Sequence, residues 1–132
     1  FRSNKDEEDV FYISTQSVSS GFYKTNGTEY KVQKINLENF SNKNNLLKPT
    51  IIKCDIEGSE YDFVNSISDD FLKEVRIIIF EYHFFGGHQF ADLAQVLKRF
   101  LNLGYKIHST SDTNLEKEMG CLIFEKLELQ NS

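Results

Sequence analysis

The period of apolar and polar positions changes several times along the chain, and each change predicts an element. The clearest pattern lies in residues 89–103. There Phe90, Leu93, Ala94, Leu97, Phe100 and Leu101 recur at i, i+3, i+4 and i+7, the spacing of one helical face, and Gly104 follows as a stop. Phe63, Val64 and Ile67 give residues 59–67 the same character, and Phe71 and Leu72 after Asp69-Asp70 predict a further short turn. Leu37 to Phe40 reads as one helical turn capped by Asn36. Strands are predicted at Val10 to Ile13, at Thr50 to Ile56 with its β-branched residues, at Tyr105 to His108 and at Cys121 to Leu127. Val75 to Phe80 is apolar except for Arg76, which suits a central parallel strand covered on both faces. Phe22-Tyr23 and Tyr30 to Ile35 flank Asn26-Gly27, a strong hairpin signal. Residues 14–21, 41–49 and 109–119 read as polar loops, Gly86-Gly87 as a flexible one, and residues 1–9, with Asp6, Glu7, Glu8 and Asp9, as a mobile arm.

From Thr50 onward the order is strand, helix, strand, helix, strand, strand. Such alternation implies an α/β fold with a mostly parallel sheet. The last two strands have no helix between them, so they are expected to be antiparallel neighbours. The 132 residues fit one domain, read as a flexible arm at 1–9 and a folded unit at 10–132.

Composition narrows the function. Hydrophobic content of 39% with 12 Phe and 6 Tyr supplies a core. A net charge of -5 and a pI near 5.2 give nucleic acid no electrostatic purchase. No apolar run reaches membrane-spanning length and no signal-peptide pattern opens the chain, so a cytoplasmic setting is expected, with no membrane partner. Asn26-Gly27-Thr28 matches a glycosylation acceptor but reads as a turn in that setting. Cys54 and Cys121 sit in apolar strand-like segments and read as buried free thiols.

The chemistry concentrates in Lys53-Cys54-Asp55-Ile56-Glu57-Gly58-Ser59-Glu60. Alternation along a strand puts Lys53, Asp55 and Glu57 on one face. Charges on a central strand are unfavourable unless solvated or paired, which places them at its C-terminal end, where open parallel sheets bind ligands. The next strand ends similarly in Glu81-Tyr82-His83, with Glu81 and His83 sharing a face. Two adjacent strands thus bring Asp55, Glu57, Glu81 and His83 to one rim of the sheet. The first two read as a pair that orients a hydroxyl or takes its proton, or as a solvated strand end with Lys53 as partner. Glu60 reads as a substrate contact or as an acid favoured by the helix dipole. His88, beside Gly86-Gly87, reads as a residue over the site or an exposed loop histidine, and His108 as an edge residue. The rim has no ligand-spacing motif, so no resident metal is expected.

The octapeptide, Lys-x-Asp-x-Glu-Gly-x-Glu after an apolar run, resembles the hallmark of the FkbM-type methyltransferase family. Val32-Gln33-Lys34-Ile35-Asn36-Leu37-Glu38 is similar to that family's preceding segment, and Ile78-Ile79-Phe80-Glu81 resembles its next strand. The likeness covers roughly residues 10–127. It implies an S-adenosylmethionine-dependent O-methyltransferase with a Rossmann-like, seven-stranded, doubly wound sheet. The hallmark strand would be the fourth, Glu81 would end the fifth, and Cys121 to Leu127 would be an antiparallel seventh between fifth and sixth. That order separates Cys54 from Cys121 by one strand, or roughly 9–10 Å, beyond the roughly 7 Å limit for a disulfide.

One departure matters. No two of the seven glycines are separated by a single residue, so the G-x-G turn that cradles the donor is absent. The chain is therefore expected to be the C-terminal half of such a domain, strands four to seven with an N-terminal hairpin. It would keep the acceptor side, with Asp55, Glu57, Glu81 and His83 catalytic and Lys53, Glu60 and His88 contacting a small-molecule acceptor. It is not expected to bind S-adenosylmethionine or to act alone. Two rivals use the same residues: a non-catalytic module that dimerises or takes a partner strand along the uncovered edge of Thr50 to Ile56, and a metal-dependent hydrolase built on the carboxylate rim.

Overall fold

The computed structural model describes residues 7–14, 27–84, 86–109 and 117–126. Six strands and four helices lie in those residues: β1 (Glu7–Ser14), β2 (Gly27–Lys34), α1 (Leu37–Lys43), β3 (Ile51–Cys54), α2 (Glu60–Ser66), α3 (Asp69–Glu74), β4 (Ile77–His83), α4 (Phe90–Asn102), β5 (Lys106–Ser109) and β6 (Met119–Glu125). β1 and β2 form a two-stranded sheet, and the other four strands form a second in the order β3-β4-β6-β5. β3 runs parallel to β4, while β6 lies between β4 and β5 and is antiparallel to both. The mixed α/β class and the antiparallel final pair match the sequence expectation.

The first sheet corrects one expectation. The acidic run Glu7-Glu8-Asp9 is not an arm but the start of β1, in register with Lys34, Gln33 and Val32. Lys34 Nζ lies 3.0 Å from Asp9 Oδ2 across the two strands, and this hydrogen bond holds the Asp9 carboxyl below its usual range. β2 pairs with β1, placing Thr28 opposite Ile13. Phe22-Tyr23 and Asn26, the rest of the predicted tight hairpin, lie outside the described residues.

Local chemistry accounts for the helices. Asn36 caps α1 by accepting from Asn39 N–H at 2.9 Å. Ser68 caps α3 by accepting from Phe71 N–H at 3.1 Å. At the end of α4, Gly104 adopts φ +85°, a left-handed conformation that suits glycine. Arg99 ties three elements together. Its guanidinium donates to the Val64 and Ile67 carbonyls at the end of α2 and to Asp69 at the start of α3, a use of the rigid fork that lysine could not reproduce.

The core lies on one face of the second sheet. Ile52 and Cys54 of β3, Ile78, Phe80 and Tyr82 of β4, and Leu122 and Phe124 of β6 pack with Leu93, Val96 and Phe100 of α4. Phe90 and Leu101 of the predicted stripe remain about half exposed, because the buried arc of α4 centres on Leu93, Val96 and Phe100. β4 is central, as expected, but only one of its faces is fully covered among the described residues: Ile77, Ile79 and Glu81 are half-buried. Cys54 and Cys121 are not disulfide-bonded, with β4 between their strands, and burial pushes the Cys54 thiol up. No helix among the described residues is long and apolar enough to cross a membrane.

Candidate functional site

β3 and β4 assemble the site through their register. Lys53 lies beside Ile79 and Cys54 beside Phe80, so the next step along the parallel pair sets Asp55 beside Glu81. One ligand-capable atom from each of Asp55, Glu81 and His83 lies within 4.8 Å of the other two. Two neighbouring strands therefore do bring these side chains to one end of the sheet.

Alternation does not account for Glu57. β3 ends at Cys54, and the chain then turns through two left-handed residues, Glu57 (φ +53°) and Gly58 (φ +93°). A non-glycine residue there stores about 1–2 kcal/mol of backbone strain. The turn nevertheless delivers Glu57 Oε2 to 3.9 Å from His83 Nε2.

Glu60 holds the turn from beneath. It is fully buried. Its Oε1 accepts from the Ile56 and Gly58 N–H groups, each at 3.1 Å, and lies 2.8 Å from His83 Nδ1. A carboxylate can only accept, so Nδ1 carries the ring proton and Nε2 is the nitrogen on the side of Glu57. Glu60 was expected to touch substrate; burial instead gives it a positioning role. This contact joins residues 23 apart in sequence, and no local spacing signals it.

The electrostatics are uneven. A 2.6 Å ion pair with Lys53 lowers the pKa of Asp55. Burial raises that of Glu81, and the neighbouring Asp55 carboxyl adds to the effect. Burial pulls His83 down, but the hydrogen bond and charge of Glu60, with Glu57 and Glu81, lift it above its usual value. The rim therefore combines an acid held ionised, an acid inclined to keep its proton, and an imidazole locked in one orientation.

The remaining candidates have partners of their own. Lys53 serves Asp55 and is largely exposed. The His88 ring stacks on Tyr61 at 4.4 Å between centroids, and its Nδ1 lies 3.6 Å from Asp92. His108 lies on β5, 3.4 Å from Glu125 of β6.

The turn after β3 does not offer the family's methyl donor a cradle. Donor binding needs a turn with open N–H groups, and in the turn after β3 the Ile56 and Gly58 N–H groups are already taken by Glu60.

Comparison with known proteins supports the family resemblance. No curated protein and no solved structure matches the chain. The family model of the methyltransferase FkbM domain matches residues 4–107, a span that holds the octapeptide, the β4 rim and the β1–β2 pair before them. On that match, the chain belongs to the FkbM methyltransferase domain family.

Proposed function

We propose that this chain supplies the acceptor side of an S-adenosylmethionine-dependent O-methyltransferase, acting in the cytoplasm on a hydroxylated small molecule or sugar. The observation that carries this reading is the meeting of Asp55, Glu81 and His83 at the end of two parallel strands. An acceptor hydroxyl can donate to Asp55, the ionised acid, while Glu57 and Lys53 help fix its orientation. As transfer proceeds Asp55 takes the hydroxyl proton and can pass it to His83 at Nε2, because Glu60 occupies Nδ1. Methyl transfer is a direct displacement, so alignment of the acceptor oxygen carries much of the effect. The donor would be held by residues other than those described, in the first strands of a seven-stranded sheet of which β3, β4, β5 and β6 would be strands four, five, six and seven.

Calorimetry of the 132-residue chain with S-adenosylmethionine is expected to show no binding. In the full-length gene product, Asp55→Asn or Glu81→Gln is expected to slow methyl transfer about a hundredfold without weakening donor binding. Tight donor binding by the chain alone, or unchanged transfer in both variants, would sink the reading.

One observation favours a second reading, association through the sheet edge. Among the described residues β3 pairs only with β4, and Leu46, Leu47 and Ile51 near its start are exposed, Leu47 at 95%. Bare edges recruit strands. On this reading the chain sediments as a dimer, and lysine at Leu47 and Ile51 restores the monomer. A monomer across the micromolar range would exclude it.

A further inference from the structure

We propose that Asp55, Glu81 and His83 form a binding site for one divalent cation of the Mn2+ or Mg2+ type. No ligand-spacing motif signals this, because the ligands come from two strands. The proposal does not depend on the methyl-transfer reading, since the cation is measured without donor or acceptor.

The first argument is distance. In a six-coordinate site with bonds of about 2.1–2.5 Å, adjacent ligand atoms lie about 3.0–3.5 Å apart and opposite ones about 4.2–5.0 Å. The three candidate atoms all lie within 4.8 Å of one another, so side-chain rotation closes the site without moving the strands. Two carboxylates and one imidazole suit Mn2+ and Mg2+ better than soft metals.

The second argument is the orientation of His83. The ring is buried, and its Nδ1 is held 2.8 Å from the Glu60 carboxylate. A metal-bound histidine typically donates its other N–H to a carboxylate, which fixes the tautomer and strengthens the ligand. Here that outer partner is already in place at Nδ1, so coordination would fall to Nε2.

Charge is the third. Asp55, Glu57, Glu60 and Glu81 crowd this strand end, and Lys53 and His83 are the cationic partners seen there among the described residues. Glu60 Oε2 is buried with no hydrogen-bond partner among the described residues. A divalent ion would offset the excess and use water or acceptor oxygens for its remaining positions.

Titration of the 132-residue chain with Mn2+, followed by loss of the free-ion EPR signal, is expected to show one equivalent bound. Glu81→Gln and His83→Gln should each weaken uptake by about tenfold or more, with circular dichroism reporting the fold. Asp70→Asn, at an exposed acid paired with Lys73, should leave uptake unchanged. A second measurement needs no variant: Mn2+ should broaden the amide resonances of Asp55, Glu81 and His83 before any others. Absence of uptake, uptake indifferent to Glu81→Gln in a folded variant, or broadening centred elsewhere overturns the proposal.

Discussion

Phe80→Ala is expected to remove about 3–5 kcal/mol of folding stability, read as the shift in urea midpoint followed by circular dichroism. Phe80 has no exposed surface. It lies in the middle of β4, the strand that pairs with both β3 and β6. Its ring meets Tyr61 of α2 at 6.0 Å, and Phe100 of α4 and Phe124 of β6 at 6.4 Å each, all edge-on. Truncation removes the buried ring surface and these favourable edge contacts together. It also opens a cavity that three large rings cannot easily fill. For a chain of this size the loss corresponds to roughly 10–20 °C in Tm. Phe90→Ala is the control: that residue is half exposed on α4, and its truncation should cost less than about 1 kcal/mol. A Phe80→Ala chain that melts with the control would show that β4 is not the centre of the core.

The same strand shows how far the residues alone could reveal the fold. α4 was legible because its apolar period persists over three turns, and α3 because Asp69-Asp70 precedes the Phe71-Leu72 pair. β4 was legible as a strand but not in its asymmetry. Its apolar run implied two covered faces, whereas Ile77 and Ile79 are only half-buried among the described residues. β1 was misread because an acidic run looks solvated until its partner, Lys34 on β2, is known. The position of β6 between β4 and β5 agrees with the resemblance; composition and period carry no signal for it. At the site, Asp55, Glu81 and His83 were legible because a parallel pair aligned by its apolar residues must also align the polar residues at its C-terminal end. Glu57 was assigned by alternation, which stops where β3 stops. The role of Glu60 was hidden, since a helix-start acid ordinarily faces solvent and its partner lies on another strand.

That hidden contact carries the other large effect. Glu60→Ala is expected to destabilise the chain by about 3–5 kcal/mol, because it strips a buried acceptor from three donors at once: His83 Nδ1 and the N–H groups of Ile56 and Gly58. His83→Ala is expected to act in the same direction by leaving the Glu60 carboxyl buried beside a cavity. The pair stands between stability and function. Replacing both members together with apolar side chains, as in Glu60→Leu with His83→Phe, removes the unpaired polar groups along with the contact and is expected to recover much of the loss. The backbone N–H groups of the turn would still lack their acceptor, so recovery should stop short of the original midpoint. The rim itself would not recover, since Nε2 is gone and the turn that carries Glu57 loses its anchor. Urea midpoints for the two single variants and the double variant decide the matter. A double variant no more stable than either single one would mean that the pair supports the fold in its own right. Partial recovery of the fold, with Mn2+ uptake and methyl transfer still lost, is the outcome required if Glu60 and His83 are kept for the chemistry at the strand ends.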